Sequence, residues 1–177
     1  DPRVEPRERV VDGRRVGVVE RAQARFFGGG GAREHACVED RLSEALARRK
    51  GARPAFKGYR GYPYSLCASV NQEVVHGMPS DRALKEGDIV SLDFGVDYQG
   101  YFGDAAITVA VGQPSPEASR LMAVTEAGLY EGIRAARVGN RLGDISAAVQ
   151  TCVEAEGCSV VRDYVGHGIG RDLHEDP

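Results

Sequence analysis

The sequence predicts an α+β fold, an antiparallel sheet with helices packed on one face. Three observations predict it. Two apolar stretches, Ile89 to Val96 and Tyr101 to Val111, flank the turn signal Asp97-Tyr98-Gln99-Gly100 and read as a strand pair. Two later stretches, Ser115 to about Ala136 and Asp144 to Glu156, carry helix periodicity with start and stop signals. Ser159 to Tyr164 then reads as a further strand. Strands, two helices and more strands suit helices gathered on one side of a sheet.

Composition allows that fold and excludes several others. The chain has 177 residues, 42% hydrophobic and 28% charged, which fits one domain with a sizeable core and excludes disorder of the whole chain. A net charge of -3 argues against a nucleic acid or an anionic membrane engaged through bulk charge. No apolar run approaches the ~20 residues of a membrane helix. The N-terminus, charged from Asp1, shows no signal-peptide pattern. Cys37, Cys67, Cys152 and Cys158 form no CxxC and read as thiols of a reducing compartment. The expectation is a soluble cytoplasmic domain.

The elements follow in order. Residues 1–37 are rich in Arg and Gly, with Gly28 to Gly31 consecutive, and read as a divergent or flexible N-terminal segment; residues 38–177 form the ordered part. Val38, Leu42, Ala45 and Leu46 recur at helical spacing, and Gly51 stops the helix. Phe56 to Pro63 is an aromatic, Gly-rich loop. Ser65 to Val75 reads as a strand ending in a polar turn, and His76-Gly77-Met78-Pro79 as a loop. Ser115-Pro116-Glu117 opens a helix, with Ser as cap, Pro in the first turn and an acid beside the positive helix end. That helix sets Leu121, Leu129, Ile133 and Ala136 on one side. The next points Ile145, Val149, Cys152 and Val153 inward and stops at Gly157.

The chemistry begins with Asp93 and Asp104, one in each paired stretch. If Tyr98 and Gln99 form the two-residue turn, Asp93 pairs with Asp104. If Gln99 and Gly100 form it, Asp93 pairs with Ala106, and Asp104 keeps the same face because side chains alternate with period two. Two carboxylates together on a buried face repel, and burying each charge is costly unless it is paired. A divalent metal answers both problems, and carboxylates with added imidazole suit Mn, Fe, Co or Zn. The alternative is that Asp93 or Asp104 caps a loop or pairs with an arginine.

Histidines can complete such a site. His167 lies between glycines in Gly166-His167-Gly168-Ile169-Gly170, His174 follows seven residues on, and His76 sits in a Gly-Met-Pro loop. Each alone reads as a surface or satisfied core residue, and His35 reads only so; three in Gly/Pro-marked loops beside two strand aspartates point to a site. Gly166-x-Gly168-x-Gly170 is not a dinucleotide fingerprint. Cys67 reads as a small buried filler, and Tyr59 and Tyr62 as core or as a pocket wall.

Taken in order, Gly58-Tyr59-Arg60-Gly61-Tyr62-Pro63, Ser69-Val70-Asn71, Val75 to Pro79, Gly87 to Asp93, Gly103-Asp104-Ala105, and Tyr164 to Gly170 with His174-Glu175 resemble type I methionine aminopeptidases over roughly Val38 to Pro177. The resemblance implies the pita-bread fold, here incomplete, and a metal-dependent enzyme that removes the initiator methionine from nascent polypeptides. It implies two divalent ions per intact site, with Asp93 chelating one, Asp104 bridging both and His167 as the imidazole ligand. His174 would contact the scissile amide and His76 the substrate amine, both as catalytic and substrate-binding residues; Tyr59, Tyr62 and Cys67 would line the methionine pocket. It further implies a monomer working on the N-termini of nascent chains, near the ribosome, with no membrane or specific nucleic-acid partner. Two glutamate ligands of the family pattern lie beyond Pro177, so a fragment with little activity is expected, and Leu173 stands where an aromatic pocket residue is usual. The competing readings are a non-catalytic pita-bread module that binds polypeptide or RNA, and a proline-specific relative.

Overall fold

The computed structural model describes residues 35–176, so the expected N-terminal segment lies almost wholly outside the described residues. The first helix, α1 (Ala36–Arg49), ends one residue before Lys50 caps it. Its buried residues are Ala36, Glu39, Asp40, Ser43 and Ala47. This corrects the expected apolar line: Leu42 is 45% exposed and Ala45 is exposed. The cause is polar. Asp40 Oδ1 accepts from the backbone N–H groups of Ser65 and Leu66 at 2.7 and 3.0 Å. Glu44 accepts from Lys57 Nζ at 2.7 Å, Ser65 Oγ at 3.2 Å and Arg48. The helix faces a loop whose N–H groups need acceptors, and it meets them with carboxylates.

The sheet has four strands: β1 (Arg53–Pro54), β2 (Cys67–Val70), β3 (Ile89–Tyr98) and β4 (Tyr101–Ala110), all antiparallel to β3. β1 and β2 share one edge of β3, end to end, and β4 takes the other. The β3–β4 hairpin closes on Gln99 and Gly100, at φ 55 and 79, the two left-handed positions of a type I′ turn. β2 is shorter than the expected Ser65 to Val75. Asn71 turns the chain at φ 56, and its amide side chain donates to Asp88 and accepts from the Ile89 N–H.

Alternation divides the sheet. Ala68 and Val70 of β2, Val90 and Leu92 of β3, and Val109 of β4 join Leu66 and Ala36 in the core, with Phe94 and Ile107 at its edge. Cys67, Ser69, Ser91, Asp93 and Gly95 therefore look to the other face.

After the sheet come α2 (Pro116–Ala135) and α3 (Leu142–Ala155). Ser115 Oγ accepts from the Ala118 N–H at 3.1 Å, and Pro116 opens the helix, as the sequence predicts. Asp144 lies inside α3 rather than at its start, because its carboxylate reaches back to the Arg141 N–H at 2.7 Å. The side of α2 that groups Leu121, Leu129 and Ile133 faces solvent: they are 47%, 58% and 57% exposed. Val124, Gly128 and Gly132 are buried instead. A Cβ at either glycine would lie 2.9 Å from Val153 or Val149, so the missing side chains let α3 approach closely. Residues 159–164 form no strand; among the described residues none pairs with them, and an extended segment without a ladder partner has no stable strand to join. No helix among the described residues is long and apolar enough to cross a membrane.

Candidate active site

The site is built first by register. Cys67, Asp93 and Ala106 stand in one row across β2, β3 and β4, and Gly95 faces Asp104 two residues outward. Asp93 and Asp104 are thus diagonal neighbours on one face, the arrangement of the Gln99-Gly100 turn. Their carboxyls meet. Burial and the Asp104 charge, with a hydrogen bond between the two groups, hold Asp93 far above the usual carboxylate range. The expected burial against the core is corrected: the pair lies on the face opposite Val90 and Leu92, with Asp93 half-buried and Asp104 exposed. Odd-numbered residues of β3 cannot share a face with the even-numbered core set.

The second part comes from the segment after α3. Gly168 and Glu175 exchange backbone N–H···O bonds of 2.7 and 2.8 Å. A Cβ at Gly168 would lie 2.6 Å from the Asp176 carbonyl oxygen, so this crossing needs glycine. The segment is tied to β4 by the Phe102 N–H donating to the Gly170 carbonyl at 2.7 Å, and by Arg171 donating to the Tyr101 hydroxyl at 2.9 Å. The bridge brings the rings of His167 and His174 to 4.3 Å between centroids. His167 Nδ1 lies 2.8 Å from the Gly168 carbonyl oxygen. The His174 pKa is lowered by loss of water around the ring and by His167, Arg60 and His76, against an opposing pull from Asp104.

The aromatic loop supplies the wall. Tyr59 OH lies 2.9 Å from His174 Nδ1, and the rings stack at 5.3 Å. Tyr62 OH donates to the Leu66 and Gly77 carbonyls at 3.1 and 3.2 Å. Burial pushes both the Tyr62 phenol and the Cys67 thiol up. Gly77 lies against β2, where a Cβ would stand 2.4 Å from the Ala68 carbonyl oxygen, and so fixes the neighbouring His76. His76 itself holds a left-handed φ of 59, and its ring meets Tyr164 edge-on at 5.6 Å.

The structure therefore gathers Cys67, Asp93 and Asp104 on one sheet face, with His174 within charge range of Asp104 and of His76, and with the Tyr59 and His167 rings against His174. Among the described residues no three His, Cys, Asp or Glu side chains close into a metal-ligand group. Two carboxyls forced together on a partly open face nevertheless form a donor pair that a divalent cation relieves, so the chemistry fits. Sequence reasoning missed Phe56 and Arg60. A Cβ at Gly95 would lie 2.5 Å from the Phe56 ring, so that ring covers the row beside Asp104. A glycine inside a strand was the available signal.

Over most of its length the chain is similar to known proteins. The chain is 53% identical to "Methionine aminopeptidase 1" of Bacillus subtilis over 138 residues, 78% of this chain and 56% of that protein. It superposes on the crystal structure of methionine aminopeptidase from Thermotoga maritima with a TM-score of 0.85 and 43% identity, covering 91% of this chain and 64% of that one. The enzyme of that name from Rickettsia prowazekii gives a TM-score of 0.85 at 36% identity, covering 91% of this chain and 63% of that one. The chain thus spans about half the length of the curated relatives it matches, and its sheet and helices are those of the pita-bread fold. Residues 16–177 match the model of metallopeptidase family M24, and the chain belongs to that family.

Proposed function

We propose that this protein, extended to the length of its relatives, is a metal-dependent aminopeptidase that removes methionine from the N-termini of nascent polypeptides in the cytoplasm. The observation that carries the proposal is the Asp93–Asp104 pair on one sheet face, with His174 held within charge range of Asp104 and the His167 ring against it by the Gly168–Glu175 bridge. The relatives' shared name supports the choice of methionine.

In this reading Asp93, Asp104 and His167 would hold divalent ions, with two glutamates of the longer protein completing the ligand set. Bound divalent ions would acidify a water and polarise the scissile carbonyl. The chain's own residues do the rest. His174 donates a hydrogen bond to the scissile amide and steadies charge there. His76, set by its left-handed backbone, orients the substrate amine. Tyr62 and Cys67, both desolvated, present an apolar wall to an unbranched thioether. Tyr59 closes the same wall beside His174.

The test is release of methionine from a Met-Ala-Ser peptide with added Co or Mn. The extended protein is expected to release it, to lose activity with a chelator and to regain it with metal; residues 1–177 alone are expected to show little or none. A metal-loaded extended protein that leaves the peptide intact would sink the proposal. Equal activity in the short chain would remove the two further glutamates from the account.

A further inference from the structure

Two motifs that lie far apart in the sequence meet in one hydrogen bond, between Tyr59 OH and His174 Nδ1, at 2.9 Å and 115 residues apart. We propose that Tyr59 is a positioning residue that sets the tautomer of His174: its phenol donates to Nδ1, so the ring proton resides on Nε2.

The direction of the bond follows from the two groups. An imidazole nitrogen lone pair is a much stronger acceptor than a phenol oxygen, and a neutral imidazole has one nitrogen free to accept. A phenol against that nitrogen therefore donates, and the other nitrogen keeps the hydrogen. Arg60 strengthens the donor, since its guanidinium lies 5.3 Å from the centre of the Tyr59 ring and withdraws charge from it.

Both partners are held independently of the bond. Tyr59 begins a 3-10 turn over Tyr59–Gly61, entered through Gly58 at φ 88. Arg60 at φ 48 and Gly61 at φ 85 continue it in the left-handed region. The Tyr59 N–H donates to the Phe56 carbonyl at 2.9 Å, and the Gly58 N–H to the Tyr62 carbonyl at 2.7 Å. His174 is fixed by the Gly168–Glu175 bridge and by the His167 ring. The rings of Tyr59 and His174 lie 25° from parallel, so the phenol cannot swing away without losing the stack. Nε2–H is thereby left as a donor pointing away from Tyr59, available to the scissile amide. Without the phenol the two tautomers compete, and a fraction of the molecules presents a lone pair where a proton is needed.

The inference rests on the proposed aminopeptidase activity only for its kinetic arm. The extended protein, labelled with 15N at histidine and free of metal, is examined by NMR at pH about 8.5, where a free imidazole is neutral. The His174 signals, assigned with His174→Gln, are expected to show Nδ1 unprotonated and Nε2 protonated. In Tyr59→Phe, which keeps the stacking ring, they are expected to shift toward a mixture of tautomers. With metal and Met-Ala-Ser, the same variant is expected to lose about tenfold in kcat with KM changed less than about twofold. A protonated Nδ1 in the wild type, or a Tyr59→Phe spectrum identical to it, would overturn the assignment. Loss in KM alone would make Tyr59 a pocket wall and nothing more. If the wild type cleaves no peptide, the aminopeptidase proposal fails while the spectra still decide the tautomer.

Discussion

Asp93 and Asp104 press two carboxyls together on a half-open face, and the strain of that meeting is measurable without any metal. Asp104→Asn removes one charge and supplies an amide donor to Asp93. The metal-free protein is expected to gain up to about 1 kcal/mol, read as a higher melting temperature, while the extended enzyme loses turnover. A lower melting temperature would show that the two groups were not opposed; unchanged turnover would remove Asp104 from the site. The pair was legible in the sequence because period two carries its geometry through either turn. Its face was legible as well, because Ser91, Asp93 and Gly95 alternate with Val90, Leu92 and Phe94, but reading the stretch as one apolar run passes over that alternation. Arg60 was not legible, because His174 is reached only through the folded loop, and for Phe56 the glycine inside β3 signals a close approach without naming the ring that makes it.

At the scale of elements, α1 shows how a polar anchor disguises a buried face. Glu44 is held down at about 2 by Lys57 and Arg48. Its ordinary value is 4.5, so its ion pairs stabilise the fold above that value. The contribution falls away as pH drops from about 4.5 toward about 2, because the unfolded chain takes up the proton first. Denaturant titrations are expected to show stability declining across that window, and Glu44→Gln is expected to flatten the decline. An identical acid limb in both proteins would show that the loop is not held by this charge. The helix itself was legible from its spacing and from Gly51. Its inward face was not, because the groups it meets are the bare N–H groups of Ser65 and Leu66, which no apolar pattern announces. The residues 159–164 mislead in the opposite sense, having strand composition without a strand to pair with.

For the whole molecule, β2 to β4 share a core with α1, whereas α2 and α3 chiefly contact each other through Gly128, Gly132, Val149 and Val153. Leu121, Leu129 and Ile133 remain open to solvent on α2. The helix pair is expected to open independently of the sheet, and amide hydrogen exchange in residues 35–176 should show stronger protection in β3 and β4 than in α2 and α3. Uniform protection across both would join them into one cooperative unit. The site's meeting points span this architecture: residues of the aromatic loop, the hairpin and the final segment converge although more than a hundred positions separate the outermost. The two strand aspartates and the loop histidines pointed to such a meeting, and the motif resemblance added the aromatic loop to it.

The hairpin wears aliphatic residues on one side and acids on the other, and this has an evolutionary consequence. Substitutions that retune chemistry can accumulate at Ser91 and Asp93 of β3 without eroding the even positions that form the core, whereas Gly95 and Asp97 on the same face are tied to Phe56 and Arg53. A lineage could change the chemistry of that acidic side, or lose it altogether, while inheriting the same scaffold intact.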